Sequence, residues 1–176
     1  MKINPIRNLI ARSKLCRGET INVLVAHAHS PYELQLAKSI PDAVFYAYNF
    51  QGSIPDWNPV REKPYGRYHI LARDAGPTSL PDVDYHLCIT HNVGAHHANL
   101  HPLAKALGIP NIACYHTQQP YNAHPQQLVQ YKELDYDAKV FITDYSRACW
   151  GFTDDPDAVT IYHGIDLDVF KPLDIP

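Results

Sequence analysis

INVLVAHAHSPYELQLAKSIPDAVFYAY, residues 21–48, decides the fold. Its first six residues are a continuous apolar run rich in β-branched side chains, the pattern of a parallel strand covered on both faces. Pro31 then opens a helical stretch, since a proline in the first turn gives up an N–H that has no helical partner. Leu34, Ala37 and Ile40 recur at helical spacing and predict the face that packs inward. AVFYAY, residues 43–48, reads as the second strand, so the stretch spells one β–α–β unit.

Downstream the alternation repeats. Residues 51–82 are rich in Pro, Gly and Asp and predict an irregular excursion with one strand at 68–71. YHLCIT (85–90), NIACY (111–115), KVFIT (139–143) and AVTIY (158–162) predict further strands. Helices are predicted at 98–107, 125–134 and 145–152, the first of them stopped by Gly108 and Pro110. This order predicts an α/β fold, a Rossmann-like three-layer α/β/α sandwich with a mostly parallel sheet. Residues 1–20 form a basic N-terminal segment, 21–162 the domain, and 163–176 a trailing segment.

Composition narrows the function classes. A chain of 176 residues holds one domain with a real core and is too short for two ordinary ones. With 45% apolar and 19% charged residues, disorder and coiled coil are excluded. Lys and Arg number 15 against 18 acids, which argues against a nucleic-acid partner. No apolar run reaches the roughly 18 residues of a membrane span, and no signal-peptide pattern opens the chain. Cys16, Cys88, Cys114 and Cys149 form no C-x-x-C pair, so reduced thiols in a cytoplasmic protein are expected.

Lys2, Arg7, Arg12, Lys14 and Arg17 concentrate positive charge at the start of the chain. With Ile6, Leu9 and Ile10 they allow a short amphipathic helix at residues 1–17 in weak peripheral contact with an anionic membrane. The small apolar face favours the alternative, a solvated or docked arm.

In parallel α/β sheets ligands gather at the carboxyl ends of the strands, and here the strand exits are polar. The first is followed by His27, His29 and Ser30, the strand at 85–90 by His91 and Asn92, and NIACY by His116, Thr117 and Gln118. KVFIT leads to Asp144, Ser146 and Arg147, and AVTIY to His163 and Gly164. The expectation is a polar cleft along that edge for a ligand rich in hydroxyls or phosphates. A metal site is the rival use of 11 histidines, since His97 and His101 share a helix face. No H-E-x-x-H accompanies them, so no metal ligands are assigned. G-x-x-x-x-G-K-[ST], G-x-G-x-x-G and G-x-S-x-G are absent too, and the first βα turn contains no glycine, which disfavours a dinucleotide.

AVTIYHGIDLDVFKP resembles the interdomain linker of retaining GT-B glycosyltransferases of the family 4-like, group 1 type. His163, Gly164, Ile165, Asp166, Phe170 and Pro172 carry that match. Upstream, VFITDYSRACWGF, NIACYHTQQ and YHLCITH resemble successive strand-and-exit steps of the same family in the same order. The resemblance spans roughly residues 85–172. It implies the N-terminal, acceptor-side half of a GT-B fold, moving a sugar from a nucleotide sugar to a sugar-containing or hydroxyl acceptor. The nucleotide-sugar donor is a co-substrate held mainly by a second domain or subunit, and no further cofactor is implied. His116 then takes the place of the histidine lining the cleft near the donor sugar, with Thr117 beside it, and His91 a cleft-edge position.

The chain departs from the family in two ways. His29-Ser30-Pro31 stands where a glycine pair is usual, leaving the Ser30 hydroxyl as the polar group there. Glutamate occurs only at Glu19, Glu33, Glu62 and Glu133, so the family's paired glutamates are missing along with the donor domain. The expectation is therefore a half-enzyme that does not turn over donor alone. A non-catalytic carbohydrate-binding or scaffold domain of the same fold is the alternative, and a His-rich metallohydrolase the second.

Overall fold

A computed structural model describes residues 14, 17–27, 30–48, 66–71, 80–91, 95–118 and 125–164. Seven strands, β1 (Ile21–Ala26), β2 (Ala43–Tyr48), β3 (Tyr68–Ile70), β4 (Tyr85–His91), β5 (Asn111–Tyr115), β6 (Ala138–Phe141) and β7 (Ala158–Thr160), form one sheet. Their spatial order is β3-β2-β1-β4-β5-β6-β7, and every neighbouring pair is parallel. Among the described residues the helices are α1 (Ser30–Ser39), α2 (Ala95–Leu107), α3 (Pro125–Lys132) and α4 (Asp144–Cys149), and Lys14 is helical as well. The Rossmann-like α/β arrangement expected from the alternation is the one found.

β1 shows why its sequence is apolar from Val23 to Ala26. Val23 and Val25 pack with Ala37 of α1, whereas Leu24 and Ala26 pack with Leu100, Leu103 and Ala104 of α2. Alternate side chains enter opposite layers, so from Val23 onward no position along the strand is left for a polar residue, while half-buried Asn22 at its start donates its side-chain amide to the Asp84 carbonyl. A third cluster of Tyr115, Phe141, Trp150, Phe152 and Ala158 fills the β5–β7 end. Between β1 and β4 the register slips, Asn22 facing Tyr85 and Val23 facing Leu87. The extra residue, His86, uses Nδ1 to accept the Asn22 N–H at 3.1 Å, so this histidine at the entry end of β4 is structural.

Boundaries move where local chemistry competes with periodicity. The predicted strand 139–143 ends at Phe141 because the Thr143 side chain caps α4, accepting the Ser146 N–H at 2.9 Å. The helix predicted at 145–152 runs only from Asp144 to Cys149. Gly151, at φ +74°, turns the chain out of it with Gly151 N–H donating to Ala148 and Phe152 N–H to Arg147. β7 stops at Thr160 rather than 162, being an edge strand with β6 as its one neighbour. α2 begins at Ala95, three residues early, and α3 ends at Lys132 rather than 134. The packed face of α1 is also rotated from expectation: Ser30, Glu33 and Ala37 are buried, whereas Leu34 is only half-buried.

α2 closes by the same device as α4, Gly108 N–H donating to Lys105 and Ile109 N–H to Ala104, with Gly108 at φ +65°. A methyl group at Gly108 meets nothing within 4 Å, so backbone conformation alone decides a substitution there. Gly108→Ala should lower unfolding free energy by about 1 kcal/mol without altering the fold, measured by urea denaturation. An unchanged midpoint would show that the left-handed conformation at residue 108 carries no strain.

Candidate functional site

From β1 the chain winds outward through β2 and β3, and from β4 it winds the other way through β5, β6 and β7. The reversal between β1 and β4 makes the carboxyl ends of these two strands the switch point of the sheet, the place where ligands bind in open α/β sheets. His27 leaves β1 there, and His91 is the last residue of β4. The first turn of α1 brings Tyr32 and Glu33 over the same edge. His116 follows β5, and His163 reaches in from beyond β7.

These residues form one continuous cluster. Glu33 and His91 are both fully buried, with Glu33 Oε1 3.4 Å from His91 Nε2, an ion-pair distance. His91 Nδ1 lies 3.0 Å from His116 Nε2. Tyr32 sets its ring edge-on to both histidines, at centroid distances of 4.9 Å from His91 and 4.3 Å from His116. His163 lies 5.8 Å from the Tyr32 and His116 rings and is itself exposed, so the cluster runs from the core to the surface. On the other side of Glu33, Tyr68 hydrogen-bonds the carboxylate, and its hydroxyl lies 3.0 Å from His27 Nδ1.

The electrostatics follow from burial around one carboxylate. Burial by itself pushes the His91 imidazole down, but Glu33 and the adjoining Cys114 outweigh it and lift His91 to about 10. Burial, and then Glu33, push the Tyr68 hydroxyl well above its ordinary value, so it remains a donor. Tyr32 is raised too, by burial first and then by Cys114 and Glu33.

The residues singled out in the sequence divide into three sets. His91, His116 and His163 are brought together at the carboxyl ends of the strands. Ser30 is buried at the start of α1, while Gln118 and Gly164 are exposed. Thr117 is exposed, but its carbonyl accepts from Ser146 Oγ at 3.3 Å and Trp150 Nε1 at 2.9 Å, which fixes the turn carrying His116. Asp144 accepts the Tyr162 hydroxyl at 2.9 Å on the surface. Arg147 donates to the carbonyls of Phe152, Thr153 and Asp155 and so holds the loop after α4. His29, Asn92 and residues 165–172 lie outside the described residues, as does most of the basic segment 1–17.

Glu33, Tyr32 and Tyr68 were not singled out, and His27, named at the β1 exit, is buried against Tyr68. For Glu33 a signal existed: a rare glutamate, one turn into the first helix, on the stripe it shares with Ser30 and Ala37. Among the described residues no group of three or more His, Cys, Asp or Glu is placed to hold a metal ion. His101, half of the pair considered for metal, lies 3.5 Å from the Asn111 amide and edge-on to Tyr136. None of the described helices is long and apolar enough to cross a membrane.

Fold and site together define a doubly wound, Rossmann-like α/β domain with a polar cluster at its switch point. No protein-family model, curated protein or solved structure matches the chain.

Because His91 is raised in the folded state, its pairing with Glu33 stabilises the fold fully below the unfolded histidine value of about 6.5. That contribution is lost as pH climbs through about 10, where folded His91 gives up its proton. Chemical denaturation from pH 6 to 10.5 should therefore show a steeper loss of stability for the native chain than for Glu33→Gln. Parallel pH profiles would mean that His91 is not charged against Glu33.

Proposed function

We propose that this chain is the acceptor-side half of a glycosyltransferase that moves a sugar from a nucleotide sugar to a hydroxyl acceptor. A second domain or subunit holds the donor, and the reaction takes place in the cytoplasm. The observation that carries the reading is His116: it stands at the β5 exit, half-buried, hydrogen-bonded to His91 and beside Tyr32 and His163. The ordered motifs at β4, β5, β6 and β7 lead the glycosyltransferase resemblance to that same histidine.

The chemistry fits such a position. As the sugar leaves its diphosphate, the ring gains oxocarbenium character and charge builds on the departing phosphate. A cleft closed by a second domain excludes water, and polar groups fixed in advance then stabilise the developing charges without reorganising. His116 is fixed from behind by His91 and from the side by a turn whose carbonyl has two donors. In this reading His116 contacts the sugar, while Ser146 and Trp150 keep it in place.

The test is to express the chain joined to, or together with, candidate donor-binding Rossmann-like domains and to measure nucleoside diphosphate release from a panel of nucleotide sugars. Transfer is expected from the assembly and not from this chain alone. His116→Ala should lower kcat/KM by roughly 10²-fold while leaving the thermal midpoint in place. Saccharide binding without transfer would favour a non-catalytic carbohydrate-binding domain. Unchanged transfer by the variant would reduce His116 to a structural residue.

A further inference from the structure

The cluster around Glu33 has a direction, because its members are not interchangeable as donors and acceptors. An ionised carboxylate only accepts. The Tyr68 hydroxyl, kept protonated by burial, gives its hydrogen to Glu33, and its oxygen is left to accept from His27 Nδ1. On the opposite side His91 Nε2 faces Glu33 Oε1 at 3.4 Å, an ion-pair distance, and a carboxylate that has no proton to give leaves Nε2 as the protonated atom of that contact. What remains is the contact between His91 Nδ1 and His116 Nε2 at 3.0 Å, where one nitrogen donates and the other accepts.

Two arrangements satisfy that contact, and they give His116 opposite chemistry. Were His91 neutral, its Nδ1 would accept, and His116 would use its own Nε2–H to donate inward. His116 Nδ1 would then be a bare lone pair, able to act as a base. With His91 an imidazolium, Nδ1–H donates to His116 Nε2, and the single proton of neutral His116 resides on Nδ1. Charge decides between them. A fully buried carboxylate requires a counter-charge, and the His91 ring supplies one at 3.4 Å inside the same low-dielectric site. Among the described residues, the other titratable groups facing His91 are Tyr32 from α1, Cys114 from β5 and His116 just after it, with His163 beyond β7 on the outer side of His116.

We propose that Glu33 and His91 are positioning residues that lock His116 as its Nδ1–H tautomer, making it a hydrogen-bond donor to a ligand hydroxyl oxygen and not a general base. That His116 meets a ligand rests on the glycosyltransferase reading; the tautomer does not, and it can be measured without any ligand. The cluster also carries no net charge, since Glu33 and His91 cancel. It therefore suits a neutral hydroxyl oxygen better than a phosphate.

Nitrogen-15 labelling of the histidines in the full chain, read by two-bond nitrogen–proton correlation, reports the protonation of each ring nitrogen. At pH 7.5 His91 should show two protonated nitrogens, and His116 a protonated Nδ1 with a bare Nε2. His91 should not titrate between pH 5.5 and 8.5. In Glu33→Gln, which keeps the shape of the side chain, His91 should become neutral and the His116 tautomer should change. In Tyr68→Phe, which leaves the carboxylate in place, both should stay as in the native chain. A neutral His91 in the native chain, or a protonated His116 Nε2, overturns the proposal even if a variant fails to fold. In the assembled enzyme, His116→Asn places an amide N–H where Nδ1–H stood and should recover most of the transfer lost in His116→Ala. Equal losses in both variants would overturn the donor role, whereas absence of transfer from the native assembly, with the tautomer as stated, counts against the glycosyltransferase reading alone.

Discussion

A carboxylate with no exposed surface sits at the centre of the molecule, and the surrounding architecture is arranged to make it tolerable. Glu33 lies under the carboxyl edge of the sheet on the inner face of α1. Leaving a charge of that kind without its partner costs on the order of 3–5 kcal/mol, a large fraction of the stability of a domain this size. Its partners come from elements distant in sequence: His91 from the end of β4 and Tyr68 from the start of β3. α1 is thus bound to both halves of the sheet at the place where their loops diverge. The same pairing that satisfies Glu33 orients His91 toward β5 and so reaches His116.

The site is held by regular structure on each side. β1 is buried in both layers and cannot shift without exposing one of two cores. β4 runs alongside it and ends in His91. His116 follows β5, whose Tyr115 stacks on Phe141 and meets Trp150 edge-on in the third core. Trp150 also donates its indole N–H to the Thr117 carbonyl, so the packing of that core and the orientation of the His116 turn are coupled. α4 is short and would be weak by itself. A threonine cap at one end, a left-handed glycine at the other and the Arg147 fork over the following loop make it a fixed support.

The layers were legible because they depend on which residues avoid water, and INVLVA, NIACY and AVFYAY state that plainly. Which ends of the strands are polar was legible for the same reason, and His91, His116 and His163 do meet there. Glu33 was not, because reading by hydrophobicity passes over a glutamate even where helical spacing sets it one turn from the inward-facing Ala37. Only the three-dimensional arrangement reveals that Tyr68, thirty-five positions on and beyond an irregular stretch, completes its environment. Arg147 shows the opposite failing. Its type and position suggested a ligand contact, yet its hydrogen bonds go to backbone carbonyls within eight residues of it.

Glu33 also explains why the first βα turn manages without glycine. In phosphate-binding α/β domains that turn lets backbone N–H groups approach the ligand, and the positive end of the following helix attracts its charge. Here the first turn of α1 already contains a carboxylate, which answers the helix field from within the protein. An anionic ligand at the same place would meet a negative charge in the helix and an imidazolium already matched to it. The positive end of α1 is therefore used to hold the site together instead of binding phosphate. Further along the edge the His116 ring, in contact with His91 behind it, meets the exposed His163. A neutral, hydroxyl-bearing ligand suits that division of roles, which is also the one the proposed acceptor half requires.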